Sequence, residues 1–223
     1  MRKSFALFDF DGTMIPGDSL IRFCLYARRH GLVSHKQLWR GAWAALRYCL
    51  RLLSAVQSKT IALSFLAGTS QAELTALSQR FYQDVLRPLL RSQAIATLVK
   101  HRRDGLAVLL ITASPSFYLE PLKAEYGIEA VIATRMDVDP DGFATGLICG
   151  ENCKGLQKPL RLAEYLAATG DRLDYASSYA YGNSGGDFPM LALCGHKVAV
   201  NGSRRLAKKL KGETGTVSVR WNE

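Results

Sequence analysis

Two carboxylates two positions apart, Asp9 and Asp11, close the apolar run Phe5-Ala6-Leu7-Phe8 and are followed by Gly12 and Thr13. Four apolar residues in succession suit a strand covered on both faces, and Gly12 permits the turn that ends it. Both aspartates then stand at the strand's carboxyl end, where open α/β sheets take their ligands. Holding two carboxylates there costs roughly several kcal/mol unless a cation or a proton compensates. The chemistry this suits is a magnesium-dependent pair, one carboxylate as nucleophile and the other as acid and base. A strand end capped by Asx turns is the competing reading of these residues alone.

The elements that must hold this pair alternate after residue 90. Residues 91–104 read as a helix, Leu106–Ile111 as a second buried strand, 116–126 as a helix, and Ala130–Ala133 as a return to the sheet. Asp139-Pro140-Asp141-Gly142 is a strong turn between two short β runs, which predicts a hairpin within 130–149. A helix at about 155–168, a strand at 178–181, a helix from about 187 and a strand at 197–200 complete the pattern. Such alternation implies an α/β fold with a mostly parallel, Rossmann-like sheet and helices on both faces. Residues 16–90 interrupt it, with apolar residues at helical spacing and no convincing strand.

The 223 residues suit one large domain or a core with an insertion, and the 48% hydrophobic content is ample for a packed core. Five scattered cysteines fit reduced thiols in a cytoplasm better than a disulfide framework. Cys149 and Cys153 lack the further ligands of a zinc site. The chain runs straight into its first strand, so no signal peptide is expected, and no apolar run reaches the ~18 residues of a membrane span. A net charge of +10 favours anionic partners without selecting one.

Asp9-Phe10-Asp11-Gly12-Thr13 resembles the first motif of the haloacid dehalogenase superfamily, most of whose members are phosphatases. The resemblance implies a core of residues 1–15 and 91–223, with 16–90 as an all-helical cap over the active site. It implies Asp9 as the nucleophile that forms an aspartyl-phosphate, Asp11 as acid and then base, and Thr13 as orienter of the loop. Leu109-Leu110-Ile111-Thr112 resembles the second motif; Thr112 and the following N–H groups would hold phosphoryl oxygens, with Ser114 beside them. Ser114-Pro115 is also ordinary helix N-cap and N1 chemistry. Asn152-Cys153-Lys154-Gly155-Leu156-Gln157-Lys158 resembles the third motif, with Lys158 as the charge-offsetting lysine and Lys154 the alternative. Tyr181-Gly182-Asn183-Ser184-Gly185-Gly186-Asp187 resembles the fourth, with Asn183 replacing an aspartate. Asp9, the Asp11 carbonyl, Asn183 and Asp187 would then surround Mg²⁺. An amide oxygen can ligate magnesium but brings no charge.

The resemblance implies a phosphomonoesterase acting on a small or lipid substrate, with a phosphoserine phosphatase or a weak phosphate-binding module as alternatives. Asp18 stands where phosphoserine phosphatases hold their substrate's amine, but their Ser-Leu-Arg and Arg-Val cap segment is absent. The Cys-x-Gly-x-x-Lys spacing and the basic, apolar insert are similar to the bacterial phosphatidylglycerophosphatase C type. Asp11 and Asp187 count against a dehalogenase, and no motif supports nucleic-acid binding.

Between Asp18 and Glu73 the insert has no acidic residue. On one helix Lys36, Arg40, Arg47 and Arg51 would lie within about 60° of each other, beside an apolar stripe of Trp39, Trp43, Leu46, Leu50 and Leu53. That stripe either packs on the rest of the insert or meets the inner face of the cell membrane.

Overall fold

β2 (Phe5–Phe8) lies at the middle of the sheet with all four residues buried, as its unbroken apolar run requires. The computed structural model describes residues 2–222. β1 (Arg2–Lys3) and β2 lead into α1 (Ser19–Arg29), α2 (His35–Cys49), α3 (Ala55–Leu63), α4 (Gln71–Phe81), α5 (Arg87–Leu89) and α6 (Ser92–Arg103). There follow β3 (Ala107–Pro115), α7 (Glu120–Tyr126), β4 (Ala130–Val138), β5 (Ala144–Cys149), α8 (Gln157–Thr169) and β6 (Arg172–Leu173). The chain ends with β7 (Tyr179–Gly182), α9 (Phe188–Leu191), β8 (His196–Val200), α10 (Arg204–Leu210) and β9 (Thr216–Val219).

Seven strands form one sheet in the order β5-β4-β3-β2-β7-β8-β9, parallel except for the antiparallel β4–β5 hairpin. The hairpin turns at Asp139, whose carboxylate accepts from the amides of Asp141 and Phe143. Among the described residues β1 pairs only with β6. Periodicity found the strands of the main sheet up to residue 200; the two-residue strands β1 and β6, α10 and the edge strand β9 lie outside that reading.

Alternate residues of each strand feed two cores. Ala6, Phe8, Val108 and Leu110 face α6, α7 and the insert, whereas Phe5, Leu7, Leu109 and Ile111 face α8, α9 and α10. The insert is rooted in the first core through Phe23 and Phe81, 5.1 Å apart edge to face, and through Tyr118, 5.3 Å from Phe81. The hairpin holds it too: the Gly68 amide donates to the Ala144 carbonyl, and the Ala144 amide to the Thr69 carbonyl.

Within the insert the two amphipathic helices differ. α4 buries Leu74, Leu77, Ser78 and Phe81. Among the described residues of α2 only Ala44 is buried; Trp39 is 76% exposed and Trp43 62%. α2 ends at Cys49, so Arg51 is not on its basic face: it sits past the C-cap with φ of 60°, in the left-handed region. Among the described residues no helix is long and apolar enough to cross a membrane.

Candidate active site

Strand register assembles the site. Phe8 pairs with Leu110 of β3 on one side and with Tyr181 of β7 on the other, so the residues that follow all three emerge together. The Asp9 amide donates to the Tyr181 carbonyl at 2.9 Å, extending the ladder one residue past β2. Strand order reverses at β2, with β3 and β4 to one side and β7 and β8 to the other, which opens a crevice at the carboxyl ends.

At its centre the Lys158 ammonium donates to Asp9 Oδ1 and to Asp187 Oδ1, both at 2.6 Å, and Lys158 is 1% exposed. Asp9 Oδ2 accepts from the Thr13 hydroxyl at 3.0 Å. Asp187 Oδ2 accepts from the Ser184 amide and hydroxyl, each at 2.8 Å, and from the Asn183 amide at 3.2 Å. Burial pushes the Asp9 carboxyl up, Asp187 adds to it, and Lys158 only partly offsets them, leaving it at about 7. Burial also pushes Asp187 up, but Lys158 and the Ser184 hydrogen bonds outweigh it and hold that carboxyl below its ordinary value. For Lys158 the two carboxylates outweigh burial and raise the ammonium, so it is a fixed cation. One ammonium faces two carboxylates, and the cluster is short of positive charge.

Asp11 belongs to a second, adjoining network. Its Oδ1 accepts from the Ser19 amide at 2.8 Å and its Oδ2 from the Ser114 hydroxyl at 2.6 Å. Ser114 in turn accepts from the Thr112 and Ser19 hydroxyls, both at 3.1 Å. Burial raises the Asp11 carboxyl, Asp18 adds to that, and Ser114 and Ser19 pull part of the way back. Ser114 is not a helix N-cap: the chain stays in β3 to Pro115, and a 3₁₀ turn starts only at Phe117.

Asp18 lies at the surface and caps α1, accepting from the Ile21 amide at 3.0 Å. Lys154 is exposed, its ammonium 3.2 Å from the Tyr48 hydroxyl and away from the carboxylates. Of the two lysines, Lys158 alone meets Asp9 and Asp187.

The residues also fit a hard divalent cation. A Cβ on Gly12, whose φ is 77°, would overlap the Asn183 side-chain amide, so that amide rests directly on the Asp11–Gly12 turn. Two carboxylates, an amide oxygen and a main-chain carbonyl are all-oxygen donors of the kind Mg²⁺ takes. Among the described residues no three His, Cys, Asp or Glu converge into a metal set; of these oxygen donors only Asp9 and Asp187 are carboxylates.

Three positioning residues escaped the sequence reading. Arg91 Nη1 donates to the carbonyls of Gly12 and Thr13 at 2.7 and 2.9 Å, clamping the turn after Asp11. Ser19 joins Asp11 to Ser114. Lys59 of α3 donates to the Ala113 carbonyl and, at 2.7 Å, to Asn152 Oδ1, linking the insert to the end of β3 and to the loop after β5. No local pattern marks them, because each acts on a partner far along the chain.

A family model described as haloacid dehalogenase-like hydrolase matches residues 6–192, and the chain belongs to that family. It is therefore an enzyme of the hydrolase class. A histidinol-phosphatase of Neisseria meningitidis serogroup C is 29% identical over 211 residues, covering 94% of this chain and 95% of that protein. A crystal structure of a protein of unknown function from Bordetella pertussis Tohama I has a TM-score of 0.87 at 30% identity, covering 97% of this chain and 99% of that one. A phosphoserine phosphatase solved with its substrate bound shares the fold, with a TM-score of 0.64 at 20% identity over 94% and 91% of the two chains.

Proposed function

We propose that this hydrolase is a Mg²⁺-dependent phosphomonoesterase that works through an aspartyl-phosphate on Asp9. The observation that carries the reading is Lys158 Nζ held 2.6 Å from both Asp9 and Asp187, a buried cation set against a nucleophile at a sheet switch point. An Asp9 oxygen attacks phosphorus while the bond to the leaving oxygen breaks, and Asp11 gives that oxygen its proton. Asp11 then takes a proton from water as the water attacks the aspartyl-phosphate, releasing phosphate and the free Asp9 carboxylate. Thr112, Ser114 and Lys158 balance the charge of the phosphoryl oxygens.

Asp9, Asp187, Asn183 and the Asp11 carbonyl would hold the Mg²⁺, which when bound supplies Lewis-acid polarisation of the phosphoryl group. Asn183 lowers the charge of this set, so we expect weaker metal affinity than an aspartate there would give. Residues 16–90 act as the cap, with Lys59 as its contact to the end of β3 and the loop after β5, and Asp18 at the mouth of the site. The five cysteines are all free thiols, which suits a cytoplasmic enzyme. The test is phosphate release with Mg²⁺ from a panel of phosphomonoesters, phosphoserine and a lipid phosphate among them. Asp9→Asn should lower turnover at least ~10³-fold with the fold intact, as expected for a lost nucleophile. Turnover like the wild type's in that variant would refute the mechanism.

A second reading concerns where the enzyme works. The exposed Trp39 and Trp43, rimmed by Lys36, Arg40 and Arg47, complement an anionic bilayer surface in both polarity and charge. Sedimentation with vesicles containing phosphatidylglycerol tests it. Binding should be lost in Trp39→Ala/Trp43→Ala, and equal binding to neutral vesicles would count against it.

A further inference from the structure

Beside the ion cluster lies a cleft of about 660 Å³ that the proposed chemistry does not use. One wall is the loop Gly155–Gln157 leading to Lys158, another is Gly185–Gly186 leading to Asp187, and the third is Ser54–Val56 at the start of α3. Asp9 itself does not line the cleft, but two of its walls run directly into Lys158 and Asp187, the partners of that carboxylate in the cluster.

The cleft is basic. Lys154, Arg205 and Lys209 line it, against Glu151 as the acidic side chain of the lining. Among the described residues none of the three cations forms an ion pair. Two of them are held in place. Lys154 lies 5.6 Å from the Tyr48 ring centroid, and Lys209 lies 5.4 Å from that of Phe188 while donating to the Gly185 carbonyl at 3.0 Å. Arg205 passes over the glycine pair: a Cβ on Gly185 would come within 2.7 Å of Arg205 Cγ, so a glycine there lets the guanidinium stem lie along the loop. The amino end of α3 adds partial positive charge to the opposite wall. Cations without counter-ions in a walled cleft concentrate a positive potential there.

We infer that this cleft is a subsite for a second anionic group of the substrate, a phosphate or carboxylate several bonds from the scissile phosphate. The inference rests on the phosphomonoesterase reading and narrows it. A substrate whose far end carries an ammonium would meet the wrong charge there.

The test compares hexyl phosphate, 1,6-hexanediol bisphosphate and 6-aminohexyl phosphate as substrates. KM should be about tenfold lower for the bisphosphate than for hexyl phosphate, as two or three partly screened charge contacts would give, and highest for the amine. Arg205→Gln/Lys209→Gln should abolish the ratio between bisphosphate and hexyl phosphate. Lys208→Gln, on the same helix but outside the cleft, should keep it. Equal KM values in the wild type, or a ratio that survives the double variant, would overturn the subsite. If no compound releases phosphate, the phosphatase reading fails. The ratio of calorimetric Kd values for the bisphosphate and hexyl phosphate then decides the subsite alone, and equal values or no binding overturn it.

Discussion

The ion cluster at the sheet's carboxyl end and the outer face of α2 both set cations beside apolar side chains, yet the fold treats them oppositely. Lys158 is buried beneath two carboxylates, with its partners contributed by β2 and by the loop after β7. Lys36, Arg40 and Arg47 remain in solvent beside tryptophans that are themselves mostly exposed. Burial raises the stake of each charge, because an ion removed from water must be compensated by the protein. The difference teaches where the loss of a partner would be felt: in the cluster, and scarcely in α2.

The comparison can be broken from the buried side first. Lys158→Met would leave Asp9 and Asp187 facing each other without the ammonium, and we expect a loss of about 3–5 kcal/mol in urea unfolding together with loss of turnover. A change within ~1 kcal/mol would mean that the cluster is far better solvated than its burial implies. Phe81→Ala tests the root of the insert. Its ring is fully buried against Phe23 and Tyr118, so its removal should cost about 3 kcal/mol or more. A two-state unfolding curve indistinguishable from the wild type's would show that the insert is not anchored there.

Lys59 lies between the extremes. Burial, only partly offset by Asp11 and Asp18, lowers its ammonium to about 8 from an ordinary 10.5. The folded chain therefore sheds this proton before the unfolded chain does. Stability from this residue rises as pH climbs from about 8 towards 10.5, where the unfolded state binds more protons. The wild type should gain on Lys59→Met by roughly 2–3 kcal/mol over that interval. Parallel pH–stability curves would sink the assignment. The smallest effect belongs to α2, where Trp39→Ala should shift unfolding by no more than about 0.5 kcal/mol, as exposed positions do. A larger loss would mean that the tryptophan packs in solution.

The local signals in the sequence were ample for the elements. Ser34-x-x-Gln37, Ser54-x-x-Gln57 and Ser70-x-x-Glu73 each close a capping box at the start of α2, α3 and α4, so those helix starts were readable. Thr216-Val217-Ser218-Val219 alternates in the manner of an edge strand and went unread, although nothing but local pattern was needed to find it. Arg51 was misplaced because a helical wheel continues indefinitely, whereas the real helix stops at its C-cap.

By itself the sequence determined the alternating α/β order, the buried central strand, the two aspartates at its end and the family. All of these reside in short runs whose period and composition dictate local structure. Tertiary structure alone decided which lysine meets the carboxylates, since Lys158 and Asp9 are 149 positions apart and join only through strand register. It likewise decided that Arg91 clamps the turn 78 positions before it, and that Lys59 ties the insert to a strand and a loop it never adjoins in sequence. It also left the apolar stripe of α2 in solvent, where periodicity allowed either packing or exposure. An amphipathic pattern states that a face is apolar, but only the arrangement of neighbouring elements supplies something to cover it.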